Sequence, residues 1–209
     1  MRLTKYGHAC VRIERDGAVL VIDPGEFSGP DVLDEADAVL ITHEHFDHMD
    51  VAALTAAVEK RSDLTVHTHA AVKSKLDALG DIVVTVDAGQ SFEAAGFTVR
   101  AYGGQHAINH PEIPRVANLG YLVDGAVYHP GDSFDAPDDA QVDTLFVPVS
   151  APWLKLAEAI EFARAVRPRR AFALHDGLLN DIGLKVVNTH LERLSGTEYE
   201  WLAPGSMVH

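Results

Sequence analysis

The stretch THEHFDHMD (residues 42–50) follows the apolar run AVLI (38–41), and the fold of the whole chain turns on how it is read. A run of that composition is a buried strand, yet three histidines, two aspartates and a glutamate crowd the eight positions after Thr42. Burying even a neutral polar group without a partner costs on the order of 2–7 kcal/mol, so something must neutralise this cluster. His43 and His45, two apart in extended chain, project to the same side. Asp47 and His48 are adjacent and diverge, which suits two neighbouring ions rather than one. Imidazole nitrogens and carboxylate oxygens are the donors that Zn2+, Mn2+ or Fe2+ accept. The H-x-H-x-D-H spacing directly after a buried-type strand separates this loop from a surface loop that merely happens to be rich in histidine.

The chain around this loop has 209 residues, 47% of them hydrophobic and 7% aromatic. That supports one sizeable core, and a single domain over residues 1–209 is expected. The only cysteine, Cys10, has no partner for a disulfide and lies in the alternating stretch ACVRIE, where a buried, inert thiol is expected. The first residues enter strand-like alternation with no charged leader, and no apolar stretch approaches the roughly 18 residues of a membrane span. A cytoplasmic protein is therefore expected. Net charge is −14, with 17 Lys and Arg against 31 Asp and Glu. The one basic clump, RPRR at 167–170, reads as solvated turn charge, so nucleic acid is not an expected partner.

Val- and Ile-rich runs bounded by Gly, Asp or Pro predict strands near 2–6, 9–14, 18–23, 38–42, 64–69, 82–86, 97–102, 119–123, 126–129, 144–149, 171–175 and 198–202. Helical patterns fall near 50–60, 70–79, 154–167 and 185–194. In the third of these, Leu156, Ala159, Ile160, Ala163 and Val166 share a face and Pro168 ends the helix. Two segments echo each other, RDGAVLVIDPGE (15–26) and VDGAVYHPGDS (123–133). Each carries an Asp-Gly hairpin signal followed by Pro-Gly. The echo points to two related β-rich halves with helices on one side of each, an α/β four-layer αββα sandwich.

With these residues in order, the chain resembles the metallo-β-lactamase superfamily of dinuclear metal hydrolases, whose fold is that αββα sandwich. Besides the 42–50 loop, the resemblance rests on Asp23 in VLVIDPG, His106 in AYGGQHAINH, Asp132 in YHPGDSF and His175 in AFALHDG. It implies one metal on His43, His45 and His106, another on Asp47, His48 and His175, and Asp132 between them. Zn2+ is the expected metal, with Mn2+ or Fe2+ as alternatives. Asp23 has a supporting role in the family. The implied reaction is attack by a bridging hydroxide on an ester-like substrate, with Asp47 orienting the nucleophile and Asp132 holding both metals. Two divalent ions, two carboxylates and a hydroxide leave about +1, which attracts a small anionic or oxyanion-forming molecule.

Within the superfamily, the YGHAC start and the HPGDSF motif are most similar to the small metal-dependent hydrolases related to ascorbate-phosphate lactonase and N-acyl-phosphatidylethanolamine phospholipase D. A lactone or phosphodiester is then the expected substrate. The chain lacks room for the helical C-terminal domain of glyoxalase II-like thioesterases and carries no tRNA-gripping arm. It has His45 where flavodiiron oxygen reductases carry Glu. A thioesterase or amidase of the same superfamily, or a non-catalytic metal-stabilised binding module, are the competing readings; the full set of ligand-type residues argues against the last.

Other residues stay open at this stage. His110 competes with His106 as ligand, but His106 directly follows the strand and Gly-Gly. His110, Asn109 and Asn118 either line a substrate mouth or belong to the loop. His8 either approaches the site or is a core histidine, and His129 is placed to support Asp132. Trp153 and Phe134 are candidate pocket walls. His67 and His69 share one strand face and read as structural or solvent-facing. Glu44 is expected to point outward, Asp50 to begin the following helix, and Phe46 and Met49 to stand outside the chemistry.

Overall fold

The computed structural model describes residues 1–209. The first half runs β1 (Arg2–Lys5), β2 (Val11–Arg15), β3 (Ala18–Ile22), β4 (Ala38–Leu40), α1 (Val51–Lys60), β5 (Thr65–Thr68), α2 (Ala70–Lys75) and, after a 3-10 turn, β6 (Val83–Thr85). The second runs β7 (Ser91–Ala94), β8 (Phe97–Gly103), β9 (Leu119–Val123), β10 (Val127–His129), β11 (Thr144–Pro148), α3 (Leu156–Val166), β12 (Arg170–Leu174), α4 (Asp181–Leu194) and β13 (Glu198–Glu200). A last strand, β14 (Ser206–Val208), returns to the first sheet.

The two Asp-Gly pairs form the expected hairpins, with φ of 53° and 87° at Asp16 and Gly17 and of 50° and 63° at Asp124 and Gly125. Positive φ at both central residues gives the type I′ turn, whose twist matches the flanking strands. From these hairpins the halves repeat each other. β1, β2 and β3 are antiparallel neighbours and β3, β4, β5 and β6 are parallel neighbours. In the second half, β8, β9 and β10 are antiparallel, and β10, β11, β12 and β13 are parallel. The result is two seven-stranded sheets, ordered β14-β1-β2-β3-β4-β5-β6 and β13-β12-β11-β10-β9-β8-β7.

Period-2 burial on both faces explains the layering. Leu20 and Ile22 of β3 and Phe172 and Leu174 of β12 meet between the sheets, with Val11, Tyr121 and Phe146. Val19 and Val21 turn the other way onto Leu54 of α1 and Val72 of α2. Ala171 and Ala173 turn outward onto Ala159, Ile160 and Ala163 of α3 and Leu191 of α4. These are the four layers of an αββα sandwich.

Local capping follows the sequence. The Asp50 side chain accepts from the Ala53 N–H at 2.9 Å to start α1, and Arg167, in the left-handed region, ends α3 ahead of Pro168. The helix expected over 70–79 stops at Lys75, and β7 and β14 add short edge strands that the sequence pattern did not mark. No helix is long and apolar enough to cross a membrane.

Candidate metal centre

Topology brings the ligand-type residues to one edge. β1, β3, β4 and β5 run in one direction, and the residues after three of them are His8, Asp23 and the His43–His48 loop. In the second sheet β8, β10 and β12 also share a direction, and His106, Asp132 and His175 follow them. Three of these side chains sit on backbone that L-residues rarely adopt: φ is 58° at His8, 51° at Asp23 and 59° at His175. Outside turns such strain persists only where surrounding structure over-determines it, and it concentrates at functional sites.

Each imidazole is oriented by its outward nitrogen. Thr42 Oγ1 donates to Asp23 Oδ2 at 2.6 Å and so accepts from His43 Nδ1–H at 3.0 Å. His48 Nδ1–H donates to Asp23 at 2.7 Å, His106 Nδ1–H to the Ala107 carbonyl at 2.6 Å, and His175 Nδ1–H to the Ser150 carbonyl at 2.5 Å. All four therefore turn Nε2 to the centre. A carboxylate or carbonyl behind the ring is the usual device that fixes a metal-binding imidazole.

Those inward nitrogens converge on Asp132. His106 Nε2 and His175 Nε2 lie 3.2 and 3.3 Å from its Oδ2, and His48 Nε2 lies 3.1 Å from its Oδ1. The donor atoms of His43, His45, His106 and Asp132 fall within 4.8 Å of one another, and so do those of His8, Asp47, His48 and His175. His43 Nε2 and His45 Nδ1 face each other at 3.0 Å, His45 Nδ1–H donating to His43 Nε2, and a cation bound at this pair would take the place of that proton. His48 Nε2, His175 Nε2 and Asp132 Oδ1 are buried with no hydrogen-bond partner. Orphaned buried donors and acceptors of this kind fit divalent cations.

The electrostatics agree. Burial would raise the Asp132 carboxyl, but the neighbouring His48 and His175 hold it well below the usual carboxylate range. Burial would lower His175, but Asp132 and Asp47 outweigh that and raise it to about 9. His48 is likewise held well above the ordinary histidine range despite complete burial, through Asp132 and Asp23. An environment that holds protons on these two imidazoles is one that also favours a cation.

His8 is the exception in the second group. Its Nδ1 accepts from the Gly177 N–H at 3.1 Å, so burial keeps it neutral with the proton on Nε2, which donates to Asp47 Oδ2 at 3.1 Å. It orients a carboxylate and has no lone pair left for a metal. Beside it, Lys5, fully buried, pairs with Asp176 at 3.0 Å, and Trp201 Nε1–H donates to the other Asp176 oxygen at 2.6 Å. This anchors the segment that carries His175 and Gly177.

The remaining candidates divide between the centre and its surroundings. Asn118 is buried rather than at a mouth: its Oδ1 accepts from the Asp132 N–H and its Nδ2 donates to the Pro130 carbonyl, both at 3.0 Å. His129 touches not Asp132 but the residue before it, accepting from the Gly131 N–H at 3.2 Å. His110 is exposed and accepts from the Glu112 N–H, away from the centre. Phe134 packs edge to face behind Trp153, with ring centroids 5.2 Å apart, and lies tilted against Phe162. Trp153 is a wall, and its Nε1–H also donates to Asp132 Oδ2 at 3.0 Å. His67 stacks on Phe92, and Glu44 points outward to Lys75. Cys10 is buried, which pushes its thiol up to about 12 and makes it inert.

A cavity of about 290 Å³ opens over the centre. Its walls beyond the ligand-type residues are Phe27, Phe46, Asn109, Pro152, Trp153 and Leu178. Phe46, set aside on sequence, therefore lines the cavity, and Phe27, Pro152 and Leu178 were not marked at all. The Thr42 hydroxyl relay was also missed, although Thr beside the first histidine is a readable signal for it.

The family model described as Beta-lactamase superfamily domain matches residues 2–175. The chain belongs to this superfamily. Among its superfamily relatives, Protein Rv0786c of Mycobacterium tuberculosis is 36% identical over 100% of this chain and 99% of its own. A UPF0173 metal-dependent hydrolase of Methanosphaerula palustris is 32% identical over 71% of this chain and 67% of that relative. In structure, the metallo-beta-lactamase fold protein YhfI from Bacillus subtilis superposes with a TM-score of 0.78, covering 99% of this chain and 98% of that one at 16% identity. This last likeness concerns the fold of the superfamily member described here.

Proposed function

We propose that this superfamily member is a metal-dependent hydrolase of an ester-like bond, a lactone or a phosphodiester, with two divalent cations, Zn2+ ahead of Mn2+ or Fe2+. The observation that carries the reading is the convergence of inward-turned imidazole Nε2 atoms on a buried Asp132 that reaches both ligand groups. A relative named as a metal-dependent hydrolase supports it. His43, His45 and His106 would hold one cation, Asp47, His48 and His175 the other, and Asp132 both. A bound pair of cations supplies an activated water at neutral pH and Lewis acidity toward the substrate oxygen. Asp47, its carboxylate side chain 16% exposed and one oxygen fixed by His8, would orient the attacking water. Trp153 holds Asp132 from the cavity side and excludes bulk water from it.

Metal analysis with a chromogenic ester, lactone and phosphodiester panel tests this reading. Near two equivalents of metal, loss of turnover with chelator and recovery on add-back are expected. Asp132→Ala and Asp47→Ala should each lower kcat/KM by roughly a hundredfold or more, the scale on which metal ligands and their supports act. Two equivalents of metal with no turnover on any member of the panel would overturn it in favour of a metal-stabilised binding module.

A further inference from the structure

Five of the residues that wall the cavity carry large apolar side chains or rings, and none is Lys or Arg. Phe27, Phe46 and Leu178 ring its mouth while remaining 44%, 55% and 55% exposed. Phe27 and Phe46 meet edge to face at 5.7 Å and so form one continuous apolar rim. Large apolar groups held in water around one opening mark a surface that something apolar covers. Arg115, on the His106 loop, turns its Nε–H to the His106 carbonyl at 2.7 Å and does not line the cavity. Lys75 is taken by Glu44 at 3.1 Å. The one polar, non-ligand side chain on the wall is Asn109. A substrate with a fixed phosphate charge gains affinity from a guanidinium, an ammonium or a cradle of N–H donors beside the cations, and the wall beyond the centre carries no Lys or Arg, which favours a neutral substrate. The net charge of −14 opposes polyanions as well.

We infer that the substrate is an uncharged carboxylic ester or lactone with an apolar alkyl or acyl arm, the arm lying between Phe27, Phe46, Leu178 and Trp153 and the carbonyl facing Asp132. This rests on the hydrolase reading and chooses within it, against the phosphodiester. A cavity of about 290 Å³ sits at the small end of ligand sites, so the arm is short and its far end passes out between Phe46 and Leu178. The anion that the centre meets is then the oxyanion formed during reaction, not a charge the substrate brings.

The experiment compares kcat/KM of the metal-loaded protein for 4-nitrophenyl acetate, butanoate and hexanoate and for γ-lactones of increasing alkyl length with that for bis(4-nitrophenyl) phosphate. Each added methylene should raise kcat/KM about threefold to fourfold until the cavity is filled, the factor that burying one CH2 gives. The phosphodiester should be slower than every ester. Leu178→Lys, at an exposed position that tolerates a long side chain, should lower kcat/KM for hexanoate about tenfold and flatten the chain-length series. A phosphodiester turned over as fast as the esters, or a flat series in the unaltered protein, overturns the inference and leaves the hydrolase reading standing. Should no substrate turn over, the hydrolase reading fails and the inference falls with it. Binding of 2-alkanones against alkyl phosphates, followed by tryptophan fluorescence, checks the cavity's preference in the active protein. Affinity rising with ketone length supports the inference; preference for the phosphates overturns it.

Discussion

At the residue scale, His8 shows how one hydrogen bond assigns a role. The Gly177 N–H occupies Nδ1, so His8 supports Asp47 instead of competing for a cation. His8→Ala should weaken binding of the cation proposed at Asp47, His48 and His175 by 10- to 100-fold, measured by competition with a chromogenic chelator, while His8→Gln restores part of it. A purely structural histidine would change melting temperature without changing that binding selectively. The ligand-type residues were legible because four of them share one short loop and the others each end a strand. Phe27, Phe46 and Leu178 were not, since cavity walls draw on residues far apart in sequence that carry no spacing. Asn118, open on sequence between a mouth and a loop, supports Asp132 from behind, whereas His129 reaches only the turn before it, because a polar residue near a site can as readily bracket a turn as face a ligand.

At the scale of elements, close backbone approach matters as much as side chains. Gly25, after β3, lies so near the Asp47 carbonyl and the His48 nitrogen that a Cβ there would overlap them. Gly25→Ala should therefore push the 45–48 turn out of place. Far-UV circular dichroism should stay near native while bound metal falls below one equivalent. The strands and helices that run through the core were readable from periodicity, as the alternating faces of β3 and β12 show. The edges were not. β7 pairs through an Ala95-Gly96 turn without the Asn or Asp that usually announces one, and β14 has only three residues. The second predicted helix breaks because the segment Asp77–Ile82 tightens into a 3-10 turn with Gly80 at φ 66°.

At the scale of the whole molecule, the Asp-Gly echo proved to be the visible remnant of two halves with the same strand order and directions. The rest of that repeat was hidden because equivalent positions share burial rather than identity. The centre takes ligand-type residues from both halves, so its cations would cross-link them. Stripping metal with chelator should lower the melting temperature on the order of 10 °C, the shift given by a ligand held at about a thousand times its Kd in a domain of this size. An unchanged melting curve would show that the halves cohere without the centre. The same division of ligands sets a schedule for biogenesis. His8 and the His43–His48 loop leave the ribosome long before Asp132 and His175, so the nascent first half displays loose histidines to whatever cation is abundant. The full donor set exists only once β12 has docked beside β11, so selective metallation, where it occurs, would be an act of the finished chain rather than of its growing one.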